Sequence, residues 1–179
     1  MRGYLMMKNK KIFYLIVCLI SIFSIACQSE NNSKKLANKL DKNDMMDIHN
    51  YLIHKDRERI QSYFERKGFS MTETSTGLWY NILKEGTGSF LKDNDIIRYG
   101  YDCVLIDGTK CYSSQELGVA EIQIGKSELP AGLYEGLKLL KRGGEAIFIL
   151  PPFLAYGLIG DGKKIPPRAT LSYTIRVLE

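Results

Sequence analysis

The hydrophobic pattern changes period at Gly68, and that change constrains the fold more than any other feature. Between Asp44 and Lys67 the apolar residues Ile48, Leu52, Ile60, Tyr63 and Phe64 recur at spacings that suit one stripe of an amphipathic helix. Asp44 can cap its start and Gly68 can stop it. Lys55, Asp56, Arg57 and Glu58 read as its solvent face. After Gly68 the period is two. Leu78, Tyr80 and Ile82 can share one face of a strand, and Leu171, Tyr173, Ile175 and Val177 alternate in another over residues 169–178. Further strands are expected over 95–106, 120–124 and 145–150, with turns at Glu85-Gly-Thr-Gly88 and Asp107-Gly108. Gly132 to Leu140 has Leu133, Leu137 and Leu140 at helical spacing, and Arg142-Gly-Gly144 ends it. Many short strands, one short helix and frequent turns predict an α+β domain, an antiparallel sheet curled over one helix. Residues 76–179 suffice for that core, and 44–75 form a helical segment before it. The helix packs on the domain or on a second copy of the chain, giving a homodimer through residues 44–67.

The first residues are of another kind. Arg2, Lys8, Lys10 and Lys11 precede an uncharged run from Ile12 to Ala26, and Cys27 follows. Basic region, apolar core and small residue make a secretory signal layout over residues 1–26. The run has 15 residues, against the ~20 that a membrane-spanning helix needs, so a cleaved signal is favoured over an uncleaved anchor. Residues 27–43 then read as a polar tether. Four of the 25 basic residues and none of the 20 acidic ones precede Cys27, so the net charge of +5 falls to +1 for the rest. The basic balance belongs to the export signal and gives no evidence for nucleic acid.

Cys18 lies in the signal, which leaves Cys103 and Cys111 for the folded part. An exported chain could pair them. In a regular hairpin centred on Asp107-Gly108, however, Cys111 faces Val104 and Cys103 points to the other side of the sheet. Free, partly buried thiols are therefore favoured over a disulfide. His49 and His54 are five apart, which does not put two ligands on one helical face, so no metal site is expected.

Gly157 to Lys163 fits G-x-x-x-x-G-K, most of a phosphate-binding loop. Such a loop must open a helix whose free N–H groups meet the phosphates. Here Lys164 replaces the Ser or Thr that would hold Mg²⁺. Pro166 and Pro167 follow, removing two donors and forcing extended geometry. A nucleotide partner is excluded on these grounds.

With its neighbours the stretch has another explanation. Ala155-Tyr156-Gly157 followed by Ile165-Pro166-Pro167-Arg168-Ala169-Thr170-Leu171 resembles the A-Y-G … I-P-P-x-A-x-L signature of FKBP-type peptidyl-prolyl isomerases. The resemblance extends through Gly132 to Leu137, Asp107-Gly108, Ser113-Ser114 and Gly77-Leu78. It implies an antiparallel half-barrel wrapped round a short helix. The implied activity is cis–trans isomerisation of X–Pro bonds in proline-containing polypeptides, with no cofactor. Carried over by motif, Tyr101, Tyr156 and Tyr173 would be catalytic. Cys111, Tyr112, Leu129, Pro130, Leu133 and Ile165 would bind substrate. The Tyr156 hydroxyl would donate to a substrate carbonyl, and the Gly157–Lys164 loop would overhang the pocket.

Ser24-Ile25-Ala26-Cys27 resembles a bacterial lipobox, with Ser24 where Leu is preferred. It implies lipidation of Cys27 and a membrane-anchored protein, periplasmic or surface-facing, in a Gram-negative cell envelope. The lipobox, the extra helix and Leu133 resemble, more narrowly, gliding-motility-associated lipoproteins of the same family.

The chain departs from the family pattern at three places. Cys111-Tyr112 stands for Phe-Asp, Leu133 for a pocket-floor Trp, and Pro130 for an Ile whose N–H would bind a carbonyl. These departures support a second reading, a catalytically weak binding module that holds a partner of a secretion or motility apparatus.

Overall fold

A computed structural model describes residues 41–179, so the signal segment, Cys27 and nearly all of the tether lie outside the described residues. The chain divides into two units, residues 1–51 and 52–179. The described part of the first unit is the opening of helix α1 (Lys42–Lys67). Asp41 stands before the first turn, and its N–H donates to the Asp44 carboxylate at 3.2 Å. Asp44 thus acts from within the first turn rather than as the cap itself. Met45, Met46 and Ile48 are exposed there.

At the other end α1 stops as expected. Gly68 has φ 70°, and the Phe69 N–H donates to the Phe64 carbonyl at 2.9 Å. The Gly68 N–H donates to Glu65 at 3.1 Å, completing a Schellman termination.

The second unit is an antiparallel sheet with a helix on each face. Its strands are β1 (Thr72–Glu73), β2 (Trp79–Lys84), β4 (Ile96–Leu105), β5 (Lys110–Ser113), β6 (Ala120–Gln123), β8 (Glu145–Leu150) and β9 (Leu171–Val177). The order is β1-β2-β8-β9-β4-β5, with β6 also paired to β4. β3 (Thr87–Phe90) and β7 (Lys141–Arg142) form a separate pair. Two segments that read as turns, 85–88 and 142–144, therefore contribute to this small ladder. Their glycines hide its period. α2 (Ser114–Leu117) is a single turn, and α3 (Ala131–Leu137) is shorter than expected because Leu140 follows in a further turn.

One face buries the main core. Ile97, Tyr99, Cys103, Ala146, Phe148, Leu150, Leu171, Tyr173, Ile175 and Val177 project from the strands against Leu133 and Leu137 of α3, with Leu78 just before β2 in the same cluster. The alternation in β9 that predicts an inward stripe is the stripe observed. α3 lies close because it presents Gly132 and Gly136 to the sheet. A Cβ at Gly136 would come within 2.9 Å of the Phe148 ring, and one at Gly132 within 2.7 Å of Leu150.

The opposite face carries a second cluster of Ile60, Tyr63, Trp79 and Ile149, with Phe64 and Met71 against it. Trp79 and Ile149 are partners across β2 and β8, and the Phe64 and Trp79 rings lie 5.0 Å apart. The covering stripe of α1 is Asp56, Ile60 and Tyr63, one face at spacings of four and three. Asp56 is thus a correction, since its charge placed it on the solvent face. It is 4% exposed and paired to Arg168 at 2.9 Å.

A second correction concerns the thiols. Cys103 pairs with Tyr112 and Val104 with Lys110, so Cys111 is the extra residue of a β-bulge. The bulge turns Cys111 inward, and both cysteines are free and buried in one cluster. Regular alternation had placed them on opposite faces.

Candidate functional site

The segment between β8 and β9 builds the site. Pro151 and Pro152 lead into a 3₁₀ turn (Pro152–Leu154), and the Gly157 N–H closes on the Pro152 carbonyl at 2.8 Å. The chain leaves in a wide loop and returns where the Arg168 N–H donates to the Gly157 carbonyl at 2.9 Å. Within the loop the Asp161 N–H donates to the Ile165 carbonyl at 3.1 Å, and Gly160 passes so close that a Cβ would lie 2.2 Å from that oxygen. Ile165, Pro166 and Pro167 then form turns that lead into β9, and no helix follows Gly162.

This loop meets the inner face of the sheet beside α3. Of the residues expected to line a pocket, Cys111, Leu133, Ile165 and Tyr173 are buried in the main core. Tyr101, Tyr112, Leu129 and Tyr156 are half-buried against it. Pro130 is the N-cap of α3, and its carbonyl accepts the N–H groups of Leu133 and Tyr134 at 3.0 Å. Eight of the nine residues thus fall in one cluster, with Pro130 half-buried at the helix start. Ser114, from the Ser113-Ser114 pair, accepts the Tyr101 N–H on its hydroxyl at 3.1 Å and so ties α2 to β4.

The tyrosine hydroxyls of this cluster sit against an apolar core. Burial raises Tyr101 above the ordinary phenol value, with the Cys103 thiol adding to it. Burial likewise pushes Tyr173 well up, reinforced by Cys103 and Tyr156. Tyr156 is raised mainly by burial, with the neighbouring Tyr173 hydroxyl acting against the rise. Burial also pushes the Cys103 thiol up to about 12, so it is an uncharged filler and not a nucleophile.

Two site residues were not legible in the sequence. Tyr99 is buried with its ring 6.0 Å from that of Tyr101, and burial takes it to about 12. It sits on the inward side of β4 with Tyr101, and that alternation was the available signal. Asp161 is the other. Its carboxylate accepts the Tyr112 hydroxyl on one oxygen and the N–H groups of Lys163 and Ile165, each at 2.8 Å, on the other. In sequence it reads as a turn residue between Gly160 and Gly162.

A separate cavity of about 240 Å³ is lined by Ile53, Arg57, Ile60, Glu73, Trp79 and Phe153. It belongs to the α1 side of the sheet and contains none of the expected tyrosines.

A half-barrel sheet that holds a short helix against inward tyrosines, under a loop closed by Ile165-Pro-Pro, defines a class. Residues 88–178 match the model of the FKBP-type peptidyl-prolyl cis-trans isomerase family. The chain belongs to that family. It is 41% identical over 106 residues to a probable FKBP-type peptidyl-prolyl cis-trans isomerase FkpA of Neisseria meningitidis serogroup B, a match covering 59% of this chain and 39% of the relative. It is 34% identical over 125 residues to FkpA of Escherichia coli K12, covering 70% of this chain and 45% of the relative. The matched region thus spans less than half the length of these curated relatives. Among solved structures, FkpA from Escherichia coli superposes with a TM-score of 0.60 at 24% identity, over 95% of this chain and 94% of that one. The N-terminal domain of FKBP42 from Arabidopsis thaliana gives 0.57 at 26% identity, over 62% of this chain and 91% of that domain.

Proposed function

We propose that this protein isomerises X–Pro bonds in polypeptides of the cell envelope, held at a membrane by lipid on Cys27. The carrying observation is the convergence of Tyr101, Tyr156 and Tyr173 with Leu133 and Ile165 in one apolar cluster under the loop.

The chemistry needs little else. Rotation about the X–Pro bond meets a barrier of ~18–20 kcal/mol because it breaks amide resonance. The planar amide is the more charge-separated form, so an apolar site that excludes water disfavours it relative to the twisted form. Tyr156 supplies a donor for the carbonyl beside the reacting bond. A hydrogen bond made better in the twisted state lowers the barrier, whereas one made equally in both states only tightens binding. A phenol keeps its proton at neutral pH, and burial moves Tyr156 further in that direction.

The second reading, a binding module with little catalysis, also has specific support. Pro130 stands at the N-cap of α3 and offers no N–H there, and the Tyr112 hydroxyl is already committed to Asp161. One missing hydrogen bond to a substrate carbonyl weakens binding up to about tenfold. A coupled-protease assay of X–Pro isomerisation separates the readings. Catalysis that rises when Pro130→Ile restores an N–H supports the enzyme. No acceleration by either protein supports the binding module.

Location and assembly belong to the same proposal. The FkpA relatives of Gram-negative bacteria support an envelope site. Incorporation of labelled palmitate that Cys27→Ser abolishes is the outcome expected for a lipoprotein. Exposed Met45, Met46 and Ile48 near the start of α1 support a homodimer through residues 44–67, which should become monomeric when that helix is deleted. The resemblance to gliding-motility lipoproteins supports a motility apparatus as the setting.

A further inference from the structure

Four contacts tie the Gly157–Lys164 loop to β5 and to the α2 turn that follows it. The Tyr112 hydroxyl donates to Asp161. The other Asp161 oxygen takes the N–H groups of Lys163 and Ile165, so the same carboxylate shapes the loop from inside. The Lys164 ammonium lies 5.3 Å from the Tyr112 ring centre and 3.6 Å from Glu116 of α2. The Cys111 thiol points at the Lys164 carbonyl, 3.8 Å away.

We propose that Tyr112 and Asp161 form a latch that positions this loop over the proline pocket, so that Tyr112 acts on the loop and not on substrate. The proposal rests on the isomerase reading for its catalytic readout but not for its structural one. Three acceptor positions of Asp161 are filled by protein donors, and its two oxygens face different segments. The group therefore joins β5 to the turn that carries Ile165, which follows the loop and is buried in the core. Partial burial pushes the Asp161 carboxyl up, but the bonds from Tyr112, Ile165 and Lys163 outweigh it and hold the carboxyl below its ordinary value, so it is ionised at neutral pH. A phenol at 112 is the matching donor. A carboxylate there would face a second carboxylate.

That last point gives the test. Tyr112→Phe removes the hydroxyl and keeps the ring beside Lys164. Asp161→Asn keeps an oxygen for Lys163 and Ile165 but removes the charge. Tyr112→Asp sets two acids against each other, and adding Asp161→Asn relieves them. In the full-length protein, amide hydrogen exchange at Lys163 and Ile165 is measured against Phe148 in β8 as reference, with kcat/KM for X–Pro isomerisation alongside.

Tyr112→Phe should speed loop exchange about tenfold and lower kcat/KM by a similar factor, chiefly through KM. The Tyr112→Phe, Asp161→Asn double variant should be no worse than the poorer single one. Tyr112→Asp should be worse than Tyr112→Phe, and Asp161→Asn should recover it. Loop exchange unchanged in all variants, or additive effects of Tyr112→Phe and Asp161→Asn, overturns the latch. If exchange responds as stated while the wild type shows no catalysis, the latch stands and the isomerase reading fails.

Discussion

The ion pair between Asp56 and Arg168 makes an asymmetric prediction about stability. Arg168 closes the loop through its N–H, while its side chain reaches α1 and pairs with Asp56 at 2.9 Å. The Asp56 side chain is 6% exposed and that of Arg168 is 34% exposed. Replacing Arg168 with Ala strands a buried anion, which costs about 3–5 kcal/mol when a buried pair is broken from one side. Replacing Asp56 with Ala leaves a guanidinium that water already reaches, and the loss should be nearer 1 kcal/mol. Arg168 has φ 56°, and Ala keeps the same Cβ penalty, so backbone strain does not confuse the comparison, as Gly would. The double variant should be more stable than Arg168→Ala alone, because it removes the stranded charge. Urea unfolding of the four proteins measures this. Arg168→Ala no more destabilising than Asp56→Ala, or a double variant worse than both, would show that Asp56 is not stranded when its partner is lost.

Three further outcomes follow from packing and burial. Gly136→Ala places a methyl against the Phe148 ring and should cost about 1–3 kcal/mol, read as a lowered Tm. Ile60→Ala removes a side chain 1% exposed under α1 and should cost about 2–5 kcal/mol. Because Trp79 is the chain's one tryptophan and belongs to the same cluster, its emission should also shift to the red. The Cys103 thiol is raised by burial from 9.0 to about 12. Its unfolded form ionises first as pH rises, so its contribution is complete below about pH 9 and lost towards pH 12. Stability should fall across that window by about 1.4 kcal/mol per pH unit from this group, and Cys103→Ala should flatten the slope.

The fold was legible where a pattern repeats. The alternation of Leu171, Tyr173, Ile175 and Val177 names the inward face of β9, and Gly68 names the end of α1, because both rest on local backbone geometry. What the sequence hid depends on single residues or distant partners. One extra residue at Cys111 reverses which way it points, and a regular hairpin gives no sign of the bulge. Asp56 reads as solvent-facing until Arg168, 112 residues later, is brought beside it. Asp161 reads as a turn residue until Tyr112, 49 residues earlier, reaches it. Motif alone brought together residues that share the main core cluster, since the A-Y-G and I-P-P segments lie at the two ends of one closed loop. The glycines of α3 that let it lie on Phe148 were hidden behind its leucines, whose spacing alone predicts the helix.

Tyr156, presented in an apolar cluster, is the group we propose lowers the barrier to X–Pro rotation. The most direct measurement is kcat/KM for cis–trans isomerisation of an X–Pro peptide by the wild type and by Tyr156→Phe. Clear acceleration by the wild type and a loss of about tenfold in Tyr156→Phe are the expected results. A wild-type rate equal to the uncatalysed one, or a Tyr156→Phe variant as active as wild type, would contradict that role for Tyr156.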